Sequence, residues 1–313
     1  MSKIMFSLLV HEEPLVILDQ LVNLFKYNPN SMVVIHFNPK FSEKEDSLHY
    51  DDLIAMLSTW DNVYLNPERL PVGKDDIIQA HISNFMCVRE VAFDYFYFIA
   101  SNELFLKEGA EAFVSDYDYG CEKLKKPKWH YIENLQRDKY LQAILAAVGG
   151  KEYYYSQIEG TFYSKRIMTR VSEVIFQEYD YRRQEEKYPR DEVYFSTLAV
   201  NLFPNEKRYD GCLCKIKWQG KILFTSLKTV KRIVGGKTPY YSVKRVDRKI
   251  NDYLRCYIRH YALGYDRDFQ DIYPYEFRNA SLFKIHCLNL YYSVKYFIRD
   301  KISKVYRFVF RKK

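Results

Sequence analysis

YFYFIASNELFLK, Tyr95 to Lys107, opens with six aromatic or aliphatic residues in a row. Such a run is the composition of a buried strand. It stops at Ser101, Asn102 and Glu103, so the strand is expected to feed a polar loop, with a helix over Lys107–Val114. The class of fold turns on what stands on either side of that strand.

Upstream, strands and helices alternate. Ile4–Val10 is a β run, and Pro14–Tyr27 carries Leu15, Leu18, Leu21, Val22 and Phe25 at helical spacing. MVVIHF (Met32–Phe37) is a second strand between the turn signals NPNS and NPK, and NVYLN (Asn62–Asn66) a third. Lys74–Val91 reads as a helix with Ile77, Ile78, His81, Phe85 and Val88 on one side. The order predicts a largely parallel sheet with helices on both faces. In such sheets ligands bind beyond the carboxyl ends of the strands, and those ends carry His11–Glu12, Asn38, Asn66–Arg69 and Asn102–Glu103.

Downstream the pattern is less regular. Ile132–Val148 is a helix that stops at Gly149-Gly150, GTFYSK follows a strand, and Ile167–Tyr179 is helical. In YPRDEVYFSTLAVN (Tyr188–Asn201) Pro189 and the acids behind it mark a helix start. CLCKIKWQGKILF has strand character, and Asp247–Leu263 reads as an amphipathic helix. With no Ser- or Gly-rich linker, residues 1–280 are expected to form a single domain: a nucleotide-binding half at 1–115, an acceptor and catalytic half at 116–280, and a basic tail at 281–313.

Charge separates body from tail. Residues from Ser281 onward hold nine Lys or Arg against one acid, Asp300, and so carry the whole net charge of +8. A neutral body argues against nucleic acid as a partner. KIMFSLLVH is too short to span a membrane and lacks the marks of an export signal. The six Cys show no disulfide or zinc spacing, consistent with reduced thiols. No Gly-x-Gly-x-x-Gly after a strand, phosphate-loop Gly-Lys-Ser/Thr, His-Glu-x-x-His or Gly-x-Ser-x-Gly occurs.

Several segments, in order, resemble the core-2/I-branching β-1,6-N-acetylglucosaminyltransferases and their peptide-O-xylosyltransferase relatives. They are SLLVHEEPLVILDQLVNLF, VVIHFNPK, NVYLNPERLPVGKDDIIQAHISNF, FDYFYFIASNELFL, EGTFYSK, YPRDEVYFSTLAVN, KIKW and YYSVKRV, spanning roughly residues 4 to 255. Asn38, Val72-Gly73-Lys74, Glu103, Phe105, Thr161 and Tyr163 depart from the family pattern. The resemblance implies a GT-A-like, Rossmann-type mixed sheet and an inverting transfer of a sugar, N-acetylglucosamine foremost, from a UDP-sugar donor to a glycan or lipid-linked glycan acceptor.

By resemblance Glu192 is the general base, set against a helix-capping acid; its neighbour Asp191 reads as a cap. Inverting transfer needs one such carboxylate, to take the proton of the attacking hydroxyl. The resemblance also implies no metal. Lys244 and Arg245 would meet the diphosphate, Arg as a bidentate fork and Lys as a point charge, unless VKR is a solvated charge run. Trp218 falls on the family's late Trp. His11, Asn38 and Arg69 stand where base and ribose would lie, although His11 reads equally as a core histidine. Glu103 is either a partner for sugar hydroxyls or an N-cap for Lys107–Val114. Trp129, in KKPKWHYIENLQRDKY, and Tyr163 would face the acceptor, with a core Trp the ordinary alternative. Asp116-Tyr-Asp118 and Asp266-Arg-Asp268 read as surface turns. The rival from another class is a catalytically inactive sugar-binding or scaffold protein of the same fold.

In the tail, Val294, Ile298, Ile302, Val305 and Val309 share one helical face, with Tyr291, Phe297, Tyr306, Phe308 and Phe310 beside it and Lys and Arg on much of the rest. This is the pattern of a helix lying on an anionic membrane, against the alternative of a helix docked on the core. A bacterial enzyme of surface polysaccharide assembly, cytoplasmic and peripheral on the inner face of the cell membrane, is the expectation.

Overall fold

The computed structural model describes residues 2–39, 47–70, 77–122, 132–150, 152–178, 188–216, 218–219 and 222–310. Along the chain run β1 (Ile4–Val10), α1 (Pro14–Tyr27), β2 (Met32–Phe37), α2 (Tyr50–Leu57), β3 (Val63–Leu65), α3 (Ile77–Cys87), β4 (Tyr95–Ala100) and β5 (Glu103–Phe105). Then come α4 (Ala110–Val114), β6 (Tyr119–Cys121), α5 (Ile132–Arg137), α6 (Lys139–Ala147), β7 (Phe162–Ser164), α7 (Lys165–Glu178), α8 (Asp191–Leu202) and β8 (Arg208–Asp210). Last are β9 (Cys214–Lys215), β10 (Trp218–Gln219), β11 (Ile222–Leu223), α9 (Leu227–Val234), β12 (Ser242–Lys244), α10 (Tyr253–Cys256), α11 (Asp266–Gln270) and α12 (Leu282–Phe310). A π-helical turn, Tyr257–Leu263, follows α10 directly.

The chain forms two compact units that interleave along the sequence. Residues 1–14, 28–101 and 109–213 make the first; residues 15–27, 102–108 and 214–313 make the second. This division does not follow the expected step at residue 115, and the tail belongs with the second unit.

The first unit is a mixed α/β layer. Its seven strands lie in the order β3-β2-β1-β4-β7-β6-β8. The four strands expected from the sequence run parallel, and β7 is antiparallel to both β4 and β6. The long strands β1, β2 and β4 are enclosed almost throughout, which is why they read as unbroken apolar runs. Helices α3 and α7 pack on this sheet. His81 of α3 bonds Ser7 Oγ at 2.8 Å, and Asn84 donates to the same oxygen at 3.0 Å, so the buried polar groups of β1 and α3 satisfy one another. A Cβ at Gly120 would lie 2.2 Å from the Phe162 ring, so only glycine lets β6 meet β7 there.

In the second unit β12 joins β5 antiparallel and β9 parallel. The stretch after Ala100 is therefore a short strand rather than the expected loop, and the helix after it starts at Ala110. The long helix expected over Asp247–Leu263 is also shorter. Asp252 caps α10 by accepting from the Leu254 and Arg255 N–H groups at 2.8 and 3.3 Å, which fixes the start at Tyr253. Asp19 of α1 is fully buried and meets Arg255 and, at 3.3 Å, Arg259; Arg259 also donates to Asp266 at 2.8 Å.

Candidate functional site

Glu192 stands in the first turn of α8 and is only half-buried, whereas every residue from Val193 to Val200 is enclosed. The helix is held against the sheet by Phe195, whose ring lies 4.6 Å from that of Phe98 in β4. Tyr155 hydrogen-bonds the Glu192 side chain. Burial, and behind it the charge of Glu192, push the Tyr155 hydroxyl well above its ordinary range, so it remains a donor. The Ser156 N–H donates to the Glu192 carbonyl at 2.9 Å.

The start of α8 is fixed by Asp138, which the sequence reading did not single out. This buried carboxylate accepts from Tyr188 at 2.6 Å and Tyr194 at 2.9 Å, lies 3.5 Å from Arg190, and caps α6 through the Tyr140 and Leu141 N–H groups. Arg190 in turn stacks over the Tyr188 ring at 5.0 Å. Sequence could have offered Asp138 as a helix cap before a helical stripe. Its tyrosine partners lie about fifty residues away, as does the arginine, and no local pattern announces them.

At the carboxyl ends of the central strands, order reverses between β1 and β4, the crevice where ligands bind in open α/β sheets. His11 and Glu12 follow β1 and Ser101 follows β4, the strands that meet there, and Asn38 follows β2 on the outer side of β1. Glu12 is buried, accepts from Ser101 Oγ at 2.8 Å and lies 3.2 Å from His11 Nε2. His11 is partly exposed rather than a core histidine, and Asn38 is half-buried, its N–H donating to the Val10 carbonyl at 3.0 Å. Arg69 is exposed and stacks over Phe37 at 5.1 Å while its guanidinium meets the Tyr50 hydroxyl. Beneath it His36 is buried and accepts from the Leu70 N–H at 2.9 Å; burial, then the charge of Arg69, lower its pKa to about 4.

In the second unit Lys244 ends β12 and Arg245 follows with φ of 72°, the only non-glycine residue with positive φ among the described residues. A left-handed arginine is sterically costly, and such outliers cluster at binding sites. Arg245 and Arg248 line a cavity of about 360 Å³ with Asn102, Asp252, Tyr253 and Tyr296. Arg248 was not foreseen. The cavity wall is not purely cationic: Asp247 and Asp252 share it, and one oxygen of Asp252, Oδ1, is engaged by the α10 cap.

Other expected site residues lie elsewhere. Tyr163 is 1% exposed, in the middle of β7 among Phe98, Phe195 and Tyr119, so it is a core ring and no surface for an acceptor. Glu103 is neither an N-cap nor open to solvent: it lies buried in β5, where Ser242 of β12 donates to it. Asp116 and Asp118 follow α4, and Asp118 accepts from the Lys207 N–H at 2.9 Å. Asp266 and Asp268 are drawn into ion pairs with Arg259 and Lys26. Trp218 belongs to β10. Trp129 and Val72-Gly73-Lys74 lie outside the described residues, as does the Trp218 side chain. No protein-family model matches the chain, and no curated protein is significantly similar to it.

Proposed function

We propose that the chain is an inverting glycosyltransferase of GT-A-like fold. It moves a sugar, N-acetylglucosamine foremost, from a UDP-sugar to a glycan hydroxyl in bacterial surface-polysaccharide assembly. The observation that carries this reading is Glu192: a half-exposed carboxylate at the start of an enclosed helix, hydrogen-bonded by Tyr155 and built on the Asp138 cluster. The ordered resemblance to the branching transferases supports the same residue.

In the reaction Glu192 takes the proton of the acceptor hydroxyl as that oxygen bonds to the anomeric carbon. The bond from that carbon to the diphosphate breaks, and UDP leaves with the electron pair. Because the attack comes from the face opposite the leaving group, configuration inverts. Tyr155 holds the carboxylate in place. Lys244 and Arg245 meet the diphosphate charge, a task suited to a point charge and a planar fork. His11, at the switch point of the sheet, and Asn38, after the neighbouring strand β2, take the nucleoside end. Glu103, the carboxylate expected where related folds hold a metal, is engaged by Ser242 within the sheet, so its donor set does not suit a divalent ion.

A donor-hydrolysis and transfer assay with a panel of UDP-sugars tests this. Wild type releases or transfers sugar, and Glu192→Gln lowers the rate by roughly 10²–10⁴-fold while donor affinity is kept. EDTA leaves the rate unchanged. A wild type that binds a UDP-sugar yet never turns it over supports the inactive sugar-binding alternative; a Glu192→Gln enzyme with most of its turnover removes Glu192 as base.

A further inference from the structure

Helix α12 has two faces that obey opposite rules. One packs within the second unit: Ile285 is fully buried, Asn289 Oδ1 accepts from the Leu227 N–H at 3.1 Å, Tyr292 stacks on Tyr253 at 5.5 Å, and Tyr296 meets Phe224 at 4.9 Å. The other face is apolar and bare. Leu290, Val294, Phe297, Ile298, Ile302 and Val305 recur at helical spacing and are each about half to two-thirds exposed. At about 1.5 Å per residue the stripe runs for about 22 Å. An apolar surface of this continuity marks an interaction site.

Charge decides the occupant. Lys284, Lys295, Arg299 and Lys301 are exposed on the same helix, while its one acid, Asp300, is buried and paired with Lys304 at 2.7 Å. Beside the start of α12, Lys228, Lys231, Arg232, Lys237 and His286 line a second cavity of about 360 Å³ whose lining holds no carboxylate. A second copy of this chain would set cations against cations. Among the described residues no helix is long and apolar enough to cross a membrane. We infer that α12 and the cationic cavity beside α9 form one seat for an anionic phospholipid surface, with the stripe entering the acyl boundary and the cavity taking a headgroup phosphate. The seat is independent of the transferase reading.

Co-sedimentation of the full chain with vesicles tests it, using phosphatidylcholine with and without added phosphatidylglycerol. The chain is expected to bind the anionic vesicles at low salt, to leave phosphatidylcholine alone, and to be released by added salt. Val294→Glu with Ile298→Glu is expected to lower binding at least about tenfold, and Lys228→Ala with Arg232→Ala about ten- to thirtyfold. All four residues are exposed, and unchanged circular dichroism and melting confirm the fold. Failure of the full chain to bind anionic vesicles overturns the seat. So does full binding by Val294→Glu/Ile298→Glu, which would mean charge alone holds the chain. Sedimentation showing a stable dimer that the same pair dissolves, without lipid binding, assigns the stripe to a second copy instead.

Discussion

With one exception, the two units bury their carboxylates in different company. In the first, Glu12 is met by a serine hydroxyl, Glu111 by Ser31 and Asn30, and Asp138 chiefly by two tyrosines and two backbone N–H groups. In the second, Asp19 is met by Arg255 and Arg259 and Asp300 by Lys304, while Glu103 keeps the first unit's kind of partner, the Ser242 hydroxyl. Hydroxyl and amide donors stabilise a carboxylate without cancelling its charge; arginines cancel it. The first unit therefore keeps negative charge on its buried acids, and it is the unit that holds Glu192, the proposed base. The second sets cations against Asp19 and Asp300, and it places Arg245 and Arg248 on a cavity wall beside Asp247 and Asp252.

Matched substitutions can break that comparison. Asp19→Ala leaves two buried guanidinium groups facing the gap and is expected to cost about 3–5 kcal/mol in urea unfolding. Asp138→Ala deprives mostly neutral donors and is expected to cost about 1–3 kcal/mol. Equal losses would show that the company of the acid does not matter.

His36 sharpens the contrast, because the first unit keeps it neutral below Arg69. Its folded pKa of about 4 lies below the ordinary 6.5. Above pH 6.5 the ring is neutral folded or unfolded and its contribution is whole. Between 6.5 and 4 the unfolded chain takes the proton first, so stability falls as pH falls, by up to about 3 kcal/mol, and levels off below 4. His36→Gln should flatten that part of the stability–pH curve; an unchanged slope would assign it to other groups.

The smallest effect expected concerns the left-handed arginine. Arg245→Gly and Arg245→Ala both remove the guanidinium and should weaken UDP binding alike. Only glycine relieves the backbone, so the Gly variant should be more stable by about 1 kcal/mol. If the two melt together, Arg245 carries no strain.

Periodicity made much of the first unit legible. β1, β2, β4 and α1 fall where apolar runs and stripes place them, because buried parallel strands and amphipathic helices advertise themselves locally. Helix α2 escaped, since Asp51 and Asp52 give YDDLIAML the look of a polar connection. The site was legible only in part. Glu192 is named through the resemblance of YPRDEVYFSTLAVN and not from spacing, and what holds it is Tyr155 and, through the helix start, Asp138, both distant in sequence. Glu103 looked like a strand-end ligand because Ser242, which claims it, lies 139 residues further on. Nothing in YYSVKRV shows a left-handed arginine, a conformation read from glycine or asparagine when it is read at all.

The interleaving of the two units has a consequence for how the protein is made. Helix α1 belongs to the second unit, yet it is made before nearly all the rest of that unit. Asp19 then waits for Arg255 and Arg259, more than two hundred residues away, while β1 on its amino side finds β2 almost at once. One short stretch of nascent chain is thus committed at one end and unmatched at the other until Arg255 and Arg259 have been made. During that interval α1 has an apolar stripe with no cover, the condition under which a chaperone is most needed and a carboxyl-terminal truncation most damaging.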